Sequence, residues 1–217
     1  MQTLKVNDFK EIFKEIGKLM NDNKEYLCQL DGALGDGDIG VTMNTGFTHV
    51  NLVLEEEEYE DVSELLIKSG TVMSDKAPST MGTLLAFGFL NAGKNLKGVK
   101  EVNINNLYEF FINIAEEISK RGKADIGDKT ILDSLVPGAN AIKSEINNDD
   151  KPSLTNAIAY AYEESKNGME KTKNMQSNKG RASRYLEKSI GKQDPGATVA
   201  KLIFEGFYNC IKFNDSK

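Results

Sequence analysis

Three aspartates, Asp31, Asp36 and Asp38, lie in a short segment punctuated by glycines at 35, 37 and 40, and no other part of the chain is so equipped for chemistry. Glycine allows tight turns and positive φ. Asp36 and Asp38 would therefore crowd their carboxylates, with Asp31 contributing from the end of a preceding helix. Like charges gathered in one place either take up protons or recruit a cation. Carboxylates with no Cys or His beside them form a hard oxygen set, which suits Mg²⁺. The segment reads as a metal–phosphate centre.

Three motifs that this chain imitates are rejected. Gly35-x-Gly37-x-x-Gly40 spells a dinucleotide fingerprint, which needs a strand before it and backbone N–H groups facing a pyrophosphate. Here two aspartates sit inside the loop and residues 25–30 read as helix. An EF-hand begun at Asp36 would need Glu where Phe47 stands. Gly88-x-x-x-x-Gly93-Lys94 resembles a P-loop but ends in Asn95, within an apolar, helix-like stretch.

Elements able to position the aspartates follow from a 3.6-residue hydrophobic period. Phe9, Ile12, Phe13, Ile16, Leu19 and Met20 form one stripe. Others run through Leu107–Ile118, Ile131–Ile142, Leu154–Tyr162 and Val199–Phe207, and further helices are expected at about 40–54, 61–76 and 79–95. No clean period-2 strand appears. The fold class is all-α: a single domain over 1–217, built from about eight antiparallel amphipathic helices with short connections. Chemistry then belongs to the loops at one end. Besides the acidic loop these are 77–83, 121–130 and 178–198, with 184–190 taken as an addition to the last connection.

Composition narrows the function. The 217 residues carry a net charge of −6, which argues against non-specific nucleic-acid binding. Two cysteines, Cys28 and Cys210, are too few for a disulfide framework and read as buried thiols. No segment approaches membrane-span length and no leader is evident, so a cytoplasmic location is expected. With a single His, His49, no Ser/His/Asp or Cys/His set can be assembled.

Three motifs carry a resemblance. Asp31-x-x-x-x-Asp36-x-Asp38-x-Gly40, Arg121-Gly-Lys-Ala-x-x-Gly-Asp-Lys-Thr130 and Gly180-Arg-Ala-Ser183 running on to Ser189-Ile-Gly-x-x-Asp-Pro-Gly-Ala-Thr198 appear in that order over nearly the whole chain. Together they resemble the nucleotide-binding subunit L of bacterial dihydroxyacetone kinase and the homologous ATP-binding domain of single-chain kinases. The resemblance implies an annular eight-helix barrel with ADP or ATP at one end and two Mg²⁺ ions on Asp31, Asp36 and Asp38. It also implies a subunit K that carries dihydroxyacetone covalently, and a phosphohistidine-bearing subunit M that rephosphorylates resident ADP.

Carried over by motif, Ile39, Gly40, Val41 and Thr42 follow the metal ligands toward the phosphates. Thr80 and Met81 form the second nucleotide loop. Gly122 and Ile131 lie on the adenine side, Arg181 on the phosphate side as the catalytic residue, and Asp194, Pro195 and Gly196 in the closing segment. Two departures stand out: Ile39 replaces the usual His, and Ser79-Thr80-Met81-Gly82-Thr83 replaces the usual Gly-Ala-Ser-Gly-Pro. Plainer readings exist for some positions. Asp194-Pro195 is also a helix start, Asp128 and Lys129 suit adjacent helix ends, and Glu55–Glu58 read as solvent-facing. Two alternative functions stay open: an ATP-dependent kinase subunit for another small ketose or polyol, and a non-catalytic Mg–ADP-binding regulatory module.

Overall fold

Phe9, Ile12, Phe13, Ile16 and Met20 line one side of the first helix, α1 (Val6–Asp22), and all five are buried. The same arrangement repeats along the chain in this computed structural model, which describes residues 3–147 and 152–215. After α1 come α2 (Lys24–Gly32), α3 (Ile39–Glu56), α4 (Val62–Lys76), α5 (Thr80–Asn95) and α6 (Ile104–Gly122). These are followed by α7 (Leu132–Ile146), α8 (Leu154–Lys171) and α9 (Pro195–Asp215). Two 3₁₀ segments, Thr172–Asn174 and Arg181–Ser189, occupy the connection between α8 and α9. Among the described residues there is no strand, only one antiparallel pairing of Leu4 with Val102.

The expected all-α barrel is what forms, with α2 as a short ninth helix. A single residue, Asn23, separates α2 from α1, so the two act as one bent column. Each long helix packs on its neighbours in the order α1, α3, α4, α5, α6, α7, α8, α9, and α9 returns to α1. The ring is therefore closed. Eight of the chain's ten phenylalanines fill its interior: Phe9, Phe13, Phe47, Phe89, Phe110, Phe111, Phe204 and Phe207. Their rings meet edge-on, tilted or stacked, as in Phe9–Phe110 at 5.9 Å and Phe111–Phe204 at 4.2 Å between centroids. Burying one such side chain stabilises the fold by roughly 2–3 kcal/mol.

Close helix approach is purchased with small residues. Pro137, inside α7, removes the N–H that would bond the Asp133 carbonyl. That carbonyl faces Gly168 of α8, where an added Cβ would collide with it. With α1 and α2 counted as one column, successive helices around the ring alternate in direction, so the connections α2–α3, α4–α5, α6–α7 and α8–α9 fall at one end. α3, α5, α7 and α9 all start there. Four helix N-termini, each with partial positive charge and N–H groups lacking intrahelical partners, thus open toward the same mouth.

The two cysteines depart from expectation. Cys28 and Cys210 are only half-buried. Cys28 sits beneath the acidic loop, where a Cβ on Gly40 would come within 2.8 Å of its Sγ. Burial among Glu15, Glu11 and Asp8 pushes the Cys210 thiol up to about 12, so it stays protonated. Glu55–Glu58 are exposed as expected, though Glu55, Glu57 and Glu58 pair with Lys14, Lys68 and Lys10.

Candidate functional site

The loop between α2 and α3 folds around Asp31. Its carboxylate Oδ2 accepts the N–H groups of Asp38 at 3.0 Å and Ile39 at 3.3 Å, tying the end of α2 to the start of α3. The Asp31 carbonyl takes the Gly35 N–H. A side chain at 35 would collide with Asp31 Oδ1, and Gly37 adopts φ +77°, so both glycines are required by the path of the chain. One carboxylate oxygen each from Asp31, Asp36 and Asp38 lie within 4.8 Å of one another. Burial first, then Asp36 and Asp31, raise the Asp38 carboxyl above its ordinary value, against the pull of Arg181. Such a set is short of positive charge, and its all-oxygen donors fit a divalent hard cation.

Around this triad the other candidates occupy helix starts. Ile39, Gly40, Val41 and Thr42 form the first turn of α3, with Ile39 and Gly40 buried and Val41 exposed. Thr80 and Met81 open α5, where the Ser79 side chain caps the helix by accepting the Gly82 N–H at 3.1 Å. Ile131 is buried at the start of α7. Asp194 caps α9, its Oδ1 accepting the Ala197 N–H at 2.7 Å, with Pro195 in the first position. A Cβ on Gly196 would lie 2.8 Å from Met81 Cε and 3.2 Å from the Ile131 nitrogen, so the starts of α5, α7 and α9 adjoin. Gly122 ends α6 beside Leu84, followed by Lys123 in a left-handed conformation. Arg181 reaches the acidic loop from the connection between α8 and α9, its Nη2 2.7 Å from Asp36 Oδ2.

The closing segment carries an unusual charge. Burial pushes the Asp194 carboxyl up to about 7, and Asp133 adds to the rise. N–H donation from Ala197 and Gly196 and the charge of Lys129 work the other way. Three further residues order the loops around the site and are not marked as such in the sequence. Asp133 is buried at the start of α7 and its carboxylate gathers the N–H groups of Gly127 and Thr130. Asp128 and Lys129 do not simply complement helix ends. Asp128 accepts the Asn178 backbone N–H at 3.1 Å and pairs with Lys179 at 3.6 Å. Lys129 is buried, and its Nζ donates to the carbonyls of Met175 and Ser189. The Thr130-x-x-Asp133 spacing was the available signal for the first; no local signal marked the others.

A closed helical ring with three carboxylates and four helix starts at one mouth defines an all-α barrel with a site suited to a metal-bridged anion. Residues 33–209 match the DAK2 domain family, and the chain belongs to it. It is 34% identical over 206 residues to the ADP-binding subunit DhaL of PEP-dependent dihydroxyacetone kinase 2 of Listeria innocua, covering 94% of each chain. With the corresponding Escherichia coli subunit it shares 32% identity over 189 residues, 87% of this chain and 89% of that one. The fold is similar to the crystal structure of the C. freundii dihydroxyacetone kinase, with a TM-score of 0.73 at 21% identity. That match covers 92% of this chain and 34% of the kinase, so the chain spans about a third of that protein's length.

Proposed function

We propose that this chain is the nucleotide-binding phosphotransfer subunit of a dihydroxyacetone kinase. It would hold Mg–ADP or Mg–ATP and pass phosphate to dihydroxyacetone carried by a partner subunit K, with a phosphotransferase-system subunit M restoring the ATP. The observation that carries this reading is the triad Asp31, Asp36 and Asp38, with ligand atoms within 4.8 Å of one another at the mouth where four helices begin. Relatives named as ADP-binding subunits of PEP-dependent kinases support it.

Asp31, Asp36 and Asp38 would hold Mg²⁺ there, and the ion would supply positive charge to offset that of the phosphates. The chain's own residues do the rest. The first turns of α3 and α5 direct backbone N–H groups toward phosphate oxygens. Leu84 beside Gly122 and Met81 beside Gly196 are apolar groups on which a base could rest. Arg181 supplies a permanent positive charge next to Asp36, placed to offset charge on a transferring phosphoryl group.

The rim suits docking to a partner. Of the nine large apolar side chains exposed among the described residues, five lie at this end: Val41, Ile126, Tyr185, Leu186 and Ile190. Exposed apolar surface gathered around a site marks a contact surface more than a solvent one.

Transfer of phosphate from ATP to dihydroxyacetone, measured with and without a purified K subunit, tests the proposal. Activity only with both proteins supports it. Tight Mg–ADP binding with no transfer would favour the regulatory module instead. A second reading, the ATP-dependent subunit for another ketose or polyol, draws on Ile39, which is 6% exposed and has no group able to take a phosphoryl or proton. Rapid exchange of bound nucleotide and transfer to a different sugar would favour it.

A further inference from the structure

Lys129 combines three properties that rarely occur together. It is a lysine that is 2% exposed, its backbone is left-handed at φ +62°, and its ammonium contacts main-chain carbonyls instead of a carboxylate. Burying an ammonium is costly. Left-handed backbone is costly as well for any residue with a Cβ. A glycine at 129 would relieve the second cost, so the side chain is what the position needs.

The ammonium bonds locate that need. Lys129 Nζ donates to the Met175 carbonyl at 3.1 Å and to the Ser189 carbonyl at 2.5 Å. These two carbonyls stand at the base of an arm, residues 176–188, which leaves the barrel and returns to it. Further bonds close the same base: Ser177 N–H to Ser189 Oγ at 2.8 Å and Gly191 N–H to the Lys173 carbonyl at 2.7 Å. Residue 128 holds the arm from the side through Asn178. Beyond the base most of the arm is exposed, and on it stands Arg181 with its contact to Asp36.

We propose that Lys129 is a positioning residue: by pinning both ends of the 176–188 arm it fixes the reach of Arg181 toward the carboxylate triad. This rests on the phosphotransfer reading for the role of Arg181, but not for the pinning of the arm. Lysine suits the task because its three donors can serve two carbonyls that diverge in direction, which no neutral side chain of that length can do. Burial holds the Lys129 ammonium below its ordinary value, and the Asp194 carboxylate at the start of α9 works the other way.

The test uses Lys129→Met, which keeps length and removes the donors, and Lys129→Gly, which also relieves the backbone. Trypsin should cut after Arg184 and Lys188 about tenfold faster in both variants, because the arm opens more often while the barrel stays folded. Phosphate transfer should fall about a hundredfold, the scale of a misplaced reacting group, with ADP affinity changed only a few fold. In an Arg181→Ala background Lys129→Met should cost transfer almost nothing more, since both act through one group. Unchanged cleavage would overturn the proposal, as would losses that multiply in the double variant. Full activity in Lys129→Gly would overturn it too. If the wild-type chain transfers no phosphate in any mixture, the functional reading fails separately, and the cleavage rates alone decide whether Lys129 pins the arm.

Discussion

Arg181 and Asp36, from the last and first inter-helix connections at the mouth, meet with Nη2 2.7 Å from Oδ2. Both side chains are well exposed, so the pair contributes little to stability. Its interest lies in where the guanidinium rests. It places one positive charge on a cluster of three carboxylates, on an oxygen set that a divalent cation would also use.

Arg181→Ala should therefore act in opposite directions on two quantities. Mg²⁺ affinity without nucleotide should hold or rise, because a competing cation is gone. Phosphate transfer should fall by far more than ADP affinity, since an interaction realised on the way to transfer appears in rate. Calorimetry with Mg²⁺ alone, beside single-turnover transfer, measures both. Equal losses in ADP affinity and transfer would make Arg181 a binding residue only.

Asp38→Ala should abolish Mg²⁺-dependent ADP binding and leave the helical circular dichroism unchanged. The Asp38 carboxyl is already raised by burial and by its two neighbours, so deleting it relieves repulsion. Apo stability should hold or increase slightly. In the wild type, Mg–ADP at about a thousand times its dissociation constant should add about 4 kcal/mol, and EDTA should remove most of that gain. Protection by ADP that is indifferent to metal would show that the aspartates are not its bridge.

Asp194 gives the apo protein a pH dependence of definite sign. Its folded value of about 7 lies above the ordinary carboxylate range, so between about pH 4 and 7 the folded state holds more protons than the unfolded one. Stability contributed by the protonated form is full below that window and lost as pH rises through it. Asp194→Asn keeps an acceptor for the Ala197 N–H and removes the titration, leaving Asp133 and Lys129 as the charged neighbours. Melting curves should coincide below pH 4 and separate above pH 7, with the variant higher by about 5 °C. Parallel curves at all pH values would refute the shifted carboxyl.

Gly40→Ala should destabilise the mouth specifically. Its added Cβ would collide with the Lys24 carbonyl oxygen of α2 and crowd Cys28. Overpacking of this kind costs about 1–3 kcal/mol, and here it would push α3 away from the loop that holds Asp31. Gly122→Ala is the control, since nothing beyond its own helix lies nearer than 3.8 Å to the new atom. Denaturant midpoints that drop for the first and not the second satisfy the prediction.

Helices were legible in the sequence because their burial is one-sided and periodic. The expected spans 40–54, 61–76 and 79–95 became Ile39–Glu56, Val62–Lys76 and Thr80–Asn95. The acidic loop was legible too, since glycines and carboxylates at short spacing restrict what a loop can do. Lys129 was not. Its partners, the carbonyls of Met175 and Ser189, are far along the chain, and main-chain acceptors leave no mark on residue type. Asp133 was hidden for a related reason: a carboxylate that caps a loop from inside looks, by composition, like one facing water. The 3₁₀ path of 181–189, with Leu186 at φ +48°, likewise depends on what anchors its ends.

Closure of the ring sets the order in which this chain can fold. α1 completes its burial only against α9, through Phe9 on Phe207 at 5.9 Å and Glu15 bonded to Asn209 at 2.9 Å. Contacts so distant in sequence carry a loop-closure cost before they return any stabilisation. During synthesis the phenylalanine face of α1 is made well before α9 and waits for it. Until α9 is made, the eight helices α1 to α8 form a crescent with an open apolar seam, the kind of exposed surface that favours aggregation. A chain ended before residue 195 should bind a hydrophobic dye and aggregate, then regain a sharp melting transition when α9 is supplied as a separate peptide; failure of the peptide to restore it would show that the crescent closes without its last stave.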